Sequence, residues 1–178
     1  MLTIGQLLPH FNLVAVHSND KQTAFRDMTH EDYPGQWKIL FFWPKDFTFV
    51  CPTEIKGFGQ LYDAFLDRNT QLIGVSTDSE FVHLAWRTHH EELKDSPFPW
   101  LADIKKELST QLGALDQASG VANRATFIVD PNNIIRHVSV NDGKVGRNPQ
   151  EILRILDALQ TDELCPCNWV QGQDTLTA

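Results

Sequence analysis

Three cysteines are the residues of this chain best suited to nucleophilic or redox chemistry, and their settings differ. Cys51 lies in the run Phe41-Phe42-Trp43-Pro44-Lys45-Asp46-Phe47-Thr48-Phe49-Val50-Cys51-Pro52-Thr53-Glu54. Cys165 and Cys167 stand two residues apart in Leu164-Cys165-Pro166-Cys167, close to the end of the chain. A cysteine reacts through its thiolate, so the useful question is which neighbours favour a negative sulfur. Pro52 suits the first turn of a helix, where a missing N–H costs nothing. A helix start also offers unpaired N–H groups and the positive end of the helix dipole, both favourable to an anion at Cys51. Thr48, three residues earlier, can offer a hydroxyl to the same loop, and Pro44 can pack over the thiol and exclude water. A free cysteine is as often a small buried apolar side chain, and position alone leaves both readings open.

The other candidates also carry two readings. Arg124 lies just before an apolar run at 126–129, where a lone cation is ordinarily a solvated surface residue. Glu54, near the helix start, is a favourable charge for the dipole in its own right. The tail pair reads as two unrelated thiols, as half a metal site with no second pair to complete it, or as a redox element. A Cys-x-x-Cys motif is absent, which disfavours a thiol–disulfide oxidoreductase of the thioredoxin kind. Among the seven histidines, His89-His90 included, no spacing with Cys or Asp resembles a zinc site. Gly57-Phe58-Gly59 lacks the third glycine of a dinucleotide loop and suits close helix packing instead. Trp86, three residues after His83, reads as core.

The elements that must position these groups follow from periodicity. Phe11–Val16 reads as a strand, and 19–35 as an irregular loop with a weak helix near Phe25. An apolar run over 37–43 makes a buried strand that Pro44 ends. Ile55, Phe58, Leu61, Tyr62, Phe65 and Leu66 predict one helix over 51–66. Gln71–Ser76 is a second buried strand, so the two strands are parallel. Further helices are expected at 79–93, with Ser79 as N-cap, at 103–112, closed by Gly113, and from Asn148-Pro149 onward. The runs 126–129 and 134–140 flank Asp130-Pro131-Asn132-Asn133 and predict an antiparallel hairpin. This order, β-α-β-α then β-β-α, is that of an α/β thioredoxin-like fold: a central mixed β-sheet flanked by helices, with an N-terminal extension. We assign one domain over 1–160 and a polar, mobile C-terminal tail over 161–178.

Composition narrows the function. The 178 residues carry 15 basic and 23 acidic side chains, a net charge of −8. That disfavours nucleic acid and anionic membrane surfaces as partners. The first thirteen residues have no basic cluster and no long apolar core, so no signal peptide is read, and no stretch approaches membrane-spanning length. An odd, sparse cysteine count suits a cytoplasmic protein better than a secreted disulfide scaffold.

Pro44, Thr48 and Cys51 match the Pro-x-x-x-Thr-x-x-Cys motif of the peroxiredoxins. The longer run FFWPKDFTFVCPTE resembles the alkyl hydroperoxide reductase C branch, and the likeness extends from Gly5 to Trp169. DELCPCNW resembles the tail of a three-cysteine subgroup in which an alkyl-hydroperoxidase-D-type reductase can supply electrons. The resemblance implies a thiol-dependent peroxidase without metal, haem or flavin, active in antioxidant defence. Cys51 would become a sulfenic acid, Thr48 and Arg124 would hold the peroxide, and Glu54 would orient Arg124. Cys165, from a partner subunit, would resolve Cys51 as a disulfide, and Cys167 would relay it to a dithiol reductant of the alkyl-hydroperoxidase-D or thioredoxin type. It also implies homodimers assembling into a decamer or dodecamer. A non-catalytic sensor or holdase is the rival reading; it would not need Arg124 together with Thr48.

Overall fold

The computed structural model describes residues 2–177. In chain order its elements are β1 (Asn12–Val16), β2 (Phe25–Thr29), β3 (Trp37–Phe42), α1 (Cys51–Gln60), α2 (Tyr62–Leu66), β4 (Thr70–Ser76), α3 (Glu80–His89), β5 (Trp100–Ala102), α4 (Glu107–Gln111), β6 (Leu115–Asp116), β7 (Val121–Ala122), β8 (Arg124–Val129), β9 (Ile135–Asn141) and α5 (Pro149–Thr161). Seven strands form one sheet in the order β2-β1-β5-β4-β3-β8-β9, and β6 pairs with β7 apart from it. The sheet is mixed: β3 runs parallel to β4, as the spacing predicts, and antiparallel to β8.

β3 shows why the sheet is central. Leu40 and Phe42 join one apolar cluster, and Ile39, Phe41 and Trp43 join the other, on opposite faces. Alternate side chains of a strand leave opposite faces, so a strand covered on both sides reads as an unbroken apolar run. The helices over these faces are positioned by their own ends. Ser79 caps α3, accepting Val82 N–H at 3.4 Å, and Asn148 caps α5, accepting Gln150 N–H at 3.1 Å. Gly57 lets α1 approach α5: a Cβ there would meet Pro149 Cγ at 3.3 Å.

Several expectations need correction. The weak helix near Phe25 is strand β2, an edge strand held by its ladder to β1; only Met28 of it is buried, so its sequence lacks an apolar signature. The single helix over 51–66 is two, α1 and α2, broken at Leu61 (φ −103°, ψ 6°). Gly57 and Gly59 weaken the helix just before the break. The helix over 79–93 stops at His89, and that over 103–112 shrinks to α4. There the Asp103 carboxylate accepts Leu108 N–H at 3.2 Å and Ser109 N–H at 2.7 Å, and Lys106 takes φ +60°. β5 and the β6–β7 pair went unread because they are two or three residues long. The tail is not loose: Trp169 is 3% exposed, its carbonyl accepts Arg154 Nη1 at 2.8 Å, and Leu176 N–H pairs with Leu164 O at 2.8 Å. Among the described residues no helix is long and apolar enough to cross a membrane.

Candidate active site

The site begins where β3 runs out. Pro44 removes a ladder donor, and residues 44–50 cross the end of the sheet before α1 starts at Cys51. Cys51 is the first residue of α1 and is followed by Pro52, as the sequence predicts. Its side chain is fully buried and packs in the cluster of Phe41, Trp43, Ile55 and Phe58. Two donors meet the sulfur: Thr48 Oγ1 at 3.0 Å and Arg124 Nη1 at 3.3 Å. The Thr48 hydroxyl also lies 2.9 Å from Lys45 O, so its one hydrogen has two acceptors to choose between. Cys51 lies at the floor of a cleft of about 570 Å³ whose walls include Pro44, Thr48, Val50, Val121 and Arg124.

Arg124 is not the loop residue its neighbours suggest. It opens β8, pairs with Asn141 in the ladder and is 3% exposed. Its Nε donates to Gly143 O at 2.9 Å, and Nη1 is shared between the Cys51 sulfur and Glu54 Oε2, the latter at 2.5 Å. Burial is the largest influence on this guanidinium and would lower its pKa. The Cys51 sulfur and the Glu54 carboxylate together outweigh it and raise the value above that of an ordinary arginine.

Glu54 has a second partner that sequence reasoning missed. Arg147 donates to it from the backbone N at 2.9 Å, Nε at 2.8 Å and Nη2 at 3.0 Å. Arg147 Nη1 donates to Ala125 O at 3.1 Å, and its guanidinium lies over the Phe41 ring, 5.3 Å from the centroid. In sequence Arg147 is only a cation before a helix-opening Asn-Pro, ninety-three residues from Glu54. Asp46 and His83, a buried pair under the same loop, were also missed, because neither lies at a motif spacing.

The predicted residues therefore divide. Pro44, Thr48, Cys51, Glu54 and Arg124 come together. Cys165 and Cys167 do not reach the cleft within this chain; all three cysteines are free thiols. Cys165 sits against the last turns of α5, 3.4 Å from Thr161 Oγ1 and 3.8 Å from Ala158 O, whereas Cys167 is exposed.

A model of the AhpC/TSA family matches residues 4–138. The chain belongs to this family. Alkyl hydroperoxide reductase C of Mycolicibacterium smegmatis is 54% identical over 186 residues, covering 100% of this chain and 95% of that protein. Peroxiredoxin-2 of Bos taurus is 41% identical over 180 residues, covering 97% and 88%. Among solved structures, Mycobacterium tuberculosis AhpC superposes with a TM-score of 0.87 at 53% identity, over 95% of this chain and 99% of that one. A reduced 2-Cys peroxiredoxin of Plasmodium vivax gives 0.90 at 35% identity, over 98% and 93%. The family's thioredoxin-like fold is the α/β architecture expected from the order of elements, with the β1–β2 extension at its edge.

Proposed function

We propose that this chain is a thiol-dependent peroxidase that reduces hydrogen peroxide and organic hydroperoxides. The observation that carries the proposal is the Cys51 sulfur at a helix start, met by Thr48 Oγ1 at 3.0 Å and Arg124 Nη1 at 3.3 Å on the floor of a cleft. Charge counting supports a reactive thiolate. Arg124 and Arg147 bring two positive charges into a buried cluster and Glu54 brings one negative. A buried excess charge is costly, and a thiolate at Cys51 cancels it.

The thiolate attacks the terminal oxygen of the hydroperoxide, and its electron pair forms the S–O bond as the O–O bond breaks. The leaving oxygen takes a proton and departs as water or alcohol, and Cys51 is left as a sulfenic acid. Arg124 Nη1 and the Thr48 hydroxyl, both aimed at the sulfur, are placed to donate to the oxygens on which charge develops. Lys45 O gives the Thr48 hydrogen an alternative resting acceptor. A tail thiol then displaces water from the sulfenic acid to form a disulfide, and a dithiol protein reduces it by exchange. We assign resolution to Cys165 and relay to Cys167, with the partner subunit as donor of the tail and an alkyl-hydroperoxidase-D-type or thioredoxin-like protein as reductant. Homodimers closing into a decamer or dodecamer, one domain over 1–160 with a tail at 161–178, and a cytoplasmic location belong to the same reading. Exposed Phe47 and Phe49 beside the cleft and the open edge of β9 are surfaces on which dimers and rings could be built.

Stopped-flow peroxide consumption tests the proposal. Cys51→Ser is expected to abolish turnover, while Cys165→Ser leaves one rapid equivalent of oxidation. Sustained turnover in Cys51→Ser would falsify the assignment.

A further inference from the structure

Beneath the loop that carries Thr48 lies a buried polar network that the peroxide chemistry does not use. Asp46 turns its carboxylate inward: Oδ1 accepts Trp43 Nε1–H at 2.7 Å, and Oδ2 lies 2.7 Å from His83 Nδ1. The far nitrogen of the ring, His83 Nε2, lies 3.1 Å from Leu101 O. Both side chains are shut off from solvent, and the rings of Trp43 and Trp100 pack 5.6 and 5.7 Å from the imidazole. A carbonyl has no hydrogen to give, so Nε2 carries one. A further proton lies between Nδ1 and Oδ2, since without it a nitrogen lone pair would face a carboxylate in a dry site. Burial raises the Asp46 pKa, partly offset by His83, which favours keeping that proton. Asp78 is the other charged group facing Asp46; its Oδ2 accepts Asp46 N–H at 2.9 Å and Ser76 Oγ–H at 2.7 Å.

Besides this network the loop is held by the Asp46 N–H bond to Asp78, by Thr48 Oγ1 on the Cys51 sulfur and by the Phe47 ring, 5.8 Å from that of Trp86, but its junction with α1 is weak. Val50, the N-cap of α1, offers no side-chain cap, so the first turn lacks the usual local support. Phe47, directly after Asp46, is held at φ +56°, a region that bulky residues avoid. Phe49 is 94% exposed. Cys51 itself is fully buried, so no second sulfur can reach it until this segment opens.

We propose that the His83–Asp46 pair is a latch that keeps the Cys51 loop closed, and that it thereby sets how sulfenic Cys51 divides between two fates. Its catalytic consequence rests on the peroxidase reading; the latch itself does not. In the open loop a tail thiol attacks the sulfenic sulfur, giving a disulfide and water. In the closed loop a second hydroperoxide oxidises it, giving a sulfinic acid and an alcohol. His83 acts through Asp46 and is a positioning residue. A weaker latch slows the first oxidation, which needs the closed site, and speeds disulfide formation.

The first measurement needs no peroxide: amide hydrogen exchange of reduced protein over residues 45–53, against β8 as a core reference. In His83→Leu, loop exchange is expected to quicken by about tenfold or more, the loss fitting one buried hydrogen bond to a charged group, with β8 unchanged. His83→Asn, whose amide can stand where Nδ1 stands, is expected to restore most of the protection. Trp43→Phe removes the bond to Oδ1 together with part of the indole packing, and its loop exchange, read against β8, decides the matter if His83→Leu does not fold. The second measurement follows peroxide-treated protein by mass: the variant should be oxidised more slowly, form disulfide faster and accumulate less sulfinic Cys51. Unchanged loop exchange, or both steps slowing together with a general loss of protection, would overturn the latch. A wild type that consumes no peroxide would overturn the peroxidase reading instead, and the exchange experiment would still decide the latch.

Discussion

Glu54 ties two guanidinium groups into one buried cluster, and the reactive geometry depends on it. Its Oε2 takes Arg124 Nη1, the same nitrogen that reaches the Cys51 sulfur. Removing Arg124 therefore deletes both a donor to the sulfur and a cation. Arg124→Ala is expected to slow Cys51 oxidation by about 10²–10³, the usual loss for one preorganised donor at a reacting centre. Arg124→Lys should fall between, since a lysine cannot keep the Nε bond to Gly143 O and the Nη1 bonds together. Arg147 should act differently. Its side chain is nearly inaccessible and it does not line the cleft, so Arg147→Met leaves Glu54 half-compensated. The expected result is a loss of about 3–5 kcal/mol in stability, read from urea unfolding, with oxidation slowed only as far as Arg124 is displaced. Equal effects of the two substitutions on rate, with none on stability, would contradict this division.

At the scale of elements, the approach of β3 to β4 is the most sharply defined. A Cβ on Gly74 would lie 2.5 Å from Trp43 Cζ3, and Trp43 is fully buried. Gly74→Ala is expected to cost about 1–3 kcal/mol or more through overpacking, and to displace the indole that reaches Asp46, visible as a change in tryptophan fluorescence. His137 of β9, within electrostatic reach of Glu151 on α5, carries a pH dependence. Burial lowers the His137 pKa below 6.5, with Glu151 pulling the other way, and its Nε2 is buried without a partner. A lowered value means that the unfolded chain holds this proton better than the folded one. The cost is absent above about 6.5 and grows as pH falls below it. His137→Gln should therefore lose less stability than wild type on acidification, read as the shift in urea midpoint. The tail makes a third case. Cys165 lies against α5 and Cys167 is exposed, so a brief pulse of alkylating agent on reduced protein should label Cys167 first. Equal labelling would show that the tail leaves α5 freely.

For the whole molecule, the question is what covers the surfaces left open by one chain. Phe47 and Phe49 project beside the cleft, and β2 and β9 are the free edges of the sheet. Exposed aromatic side chains and unpaired strand edges are what association covers. Phe49→Glu is expected to lower the assembly state seen by sedimentation while leaving the fold intact by circular dichroism. An unchanged sedimentation coefficient would place the association surface elsewhere. Resolution by a partner's tail makes a linked prediction: oxidised wild type should run as a covalent dimer on a non-reducing gel, and the Cys165→Ser/Cys167→Ser double variant should not.

Local sequence settled those parts of this protein whose causes are local. The apolar run before Pro44, the proline after Cys51, the caps at Ser79 and Asn148 and the turn at 130–133 each fix their element through interactions a few residues long. The motif at Pro44, Thr48 and Cys51 was legible for the same reason: it spans one loop. Tertiary structure decided what depends on contacts distant in sequence. Edge strand β2 exists because β1 pairs with it, and short β5 because β4 and β1 flank it. Arg124 became a buried strand residue, and Arg147 joined the site, only because the hairpin β8–β9 and the turn before α5 bring them onto Glu54. His83 found Asp46 across thirty-seven residues. Such pairings leave no periodicity in the chain, because a buried charge is stabilised by whatever partner the fold delivers and not by its neighbours in sequence.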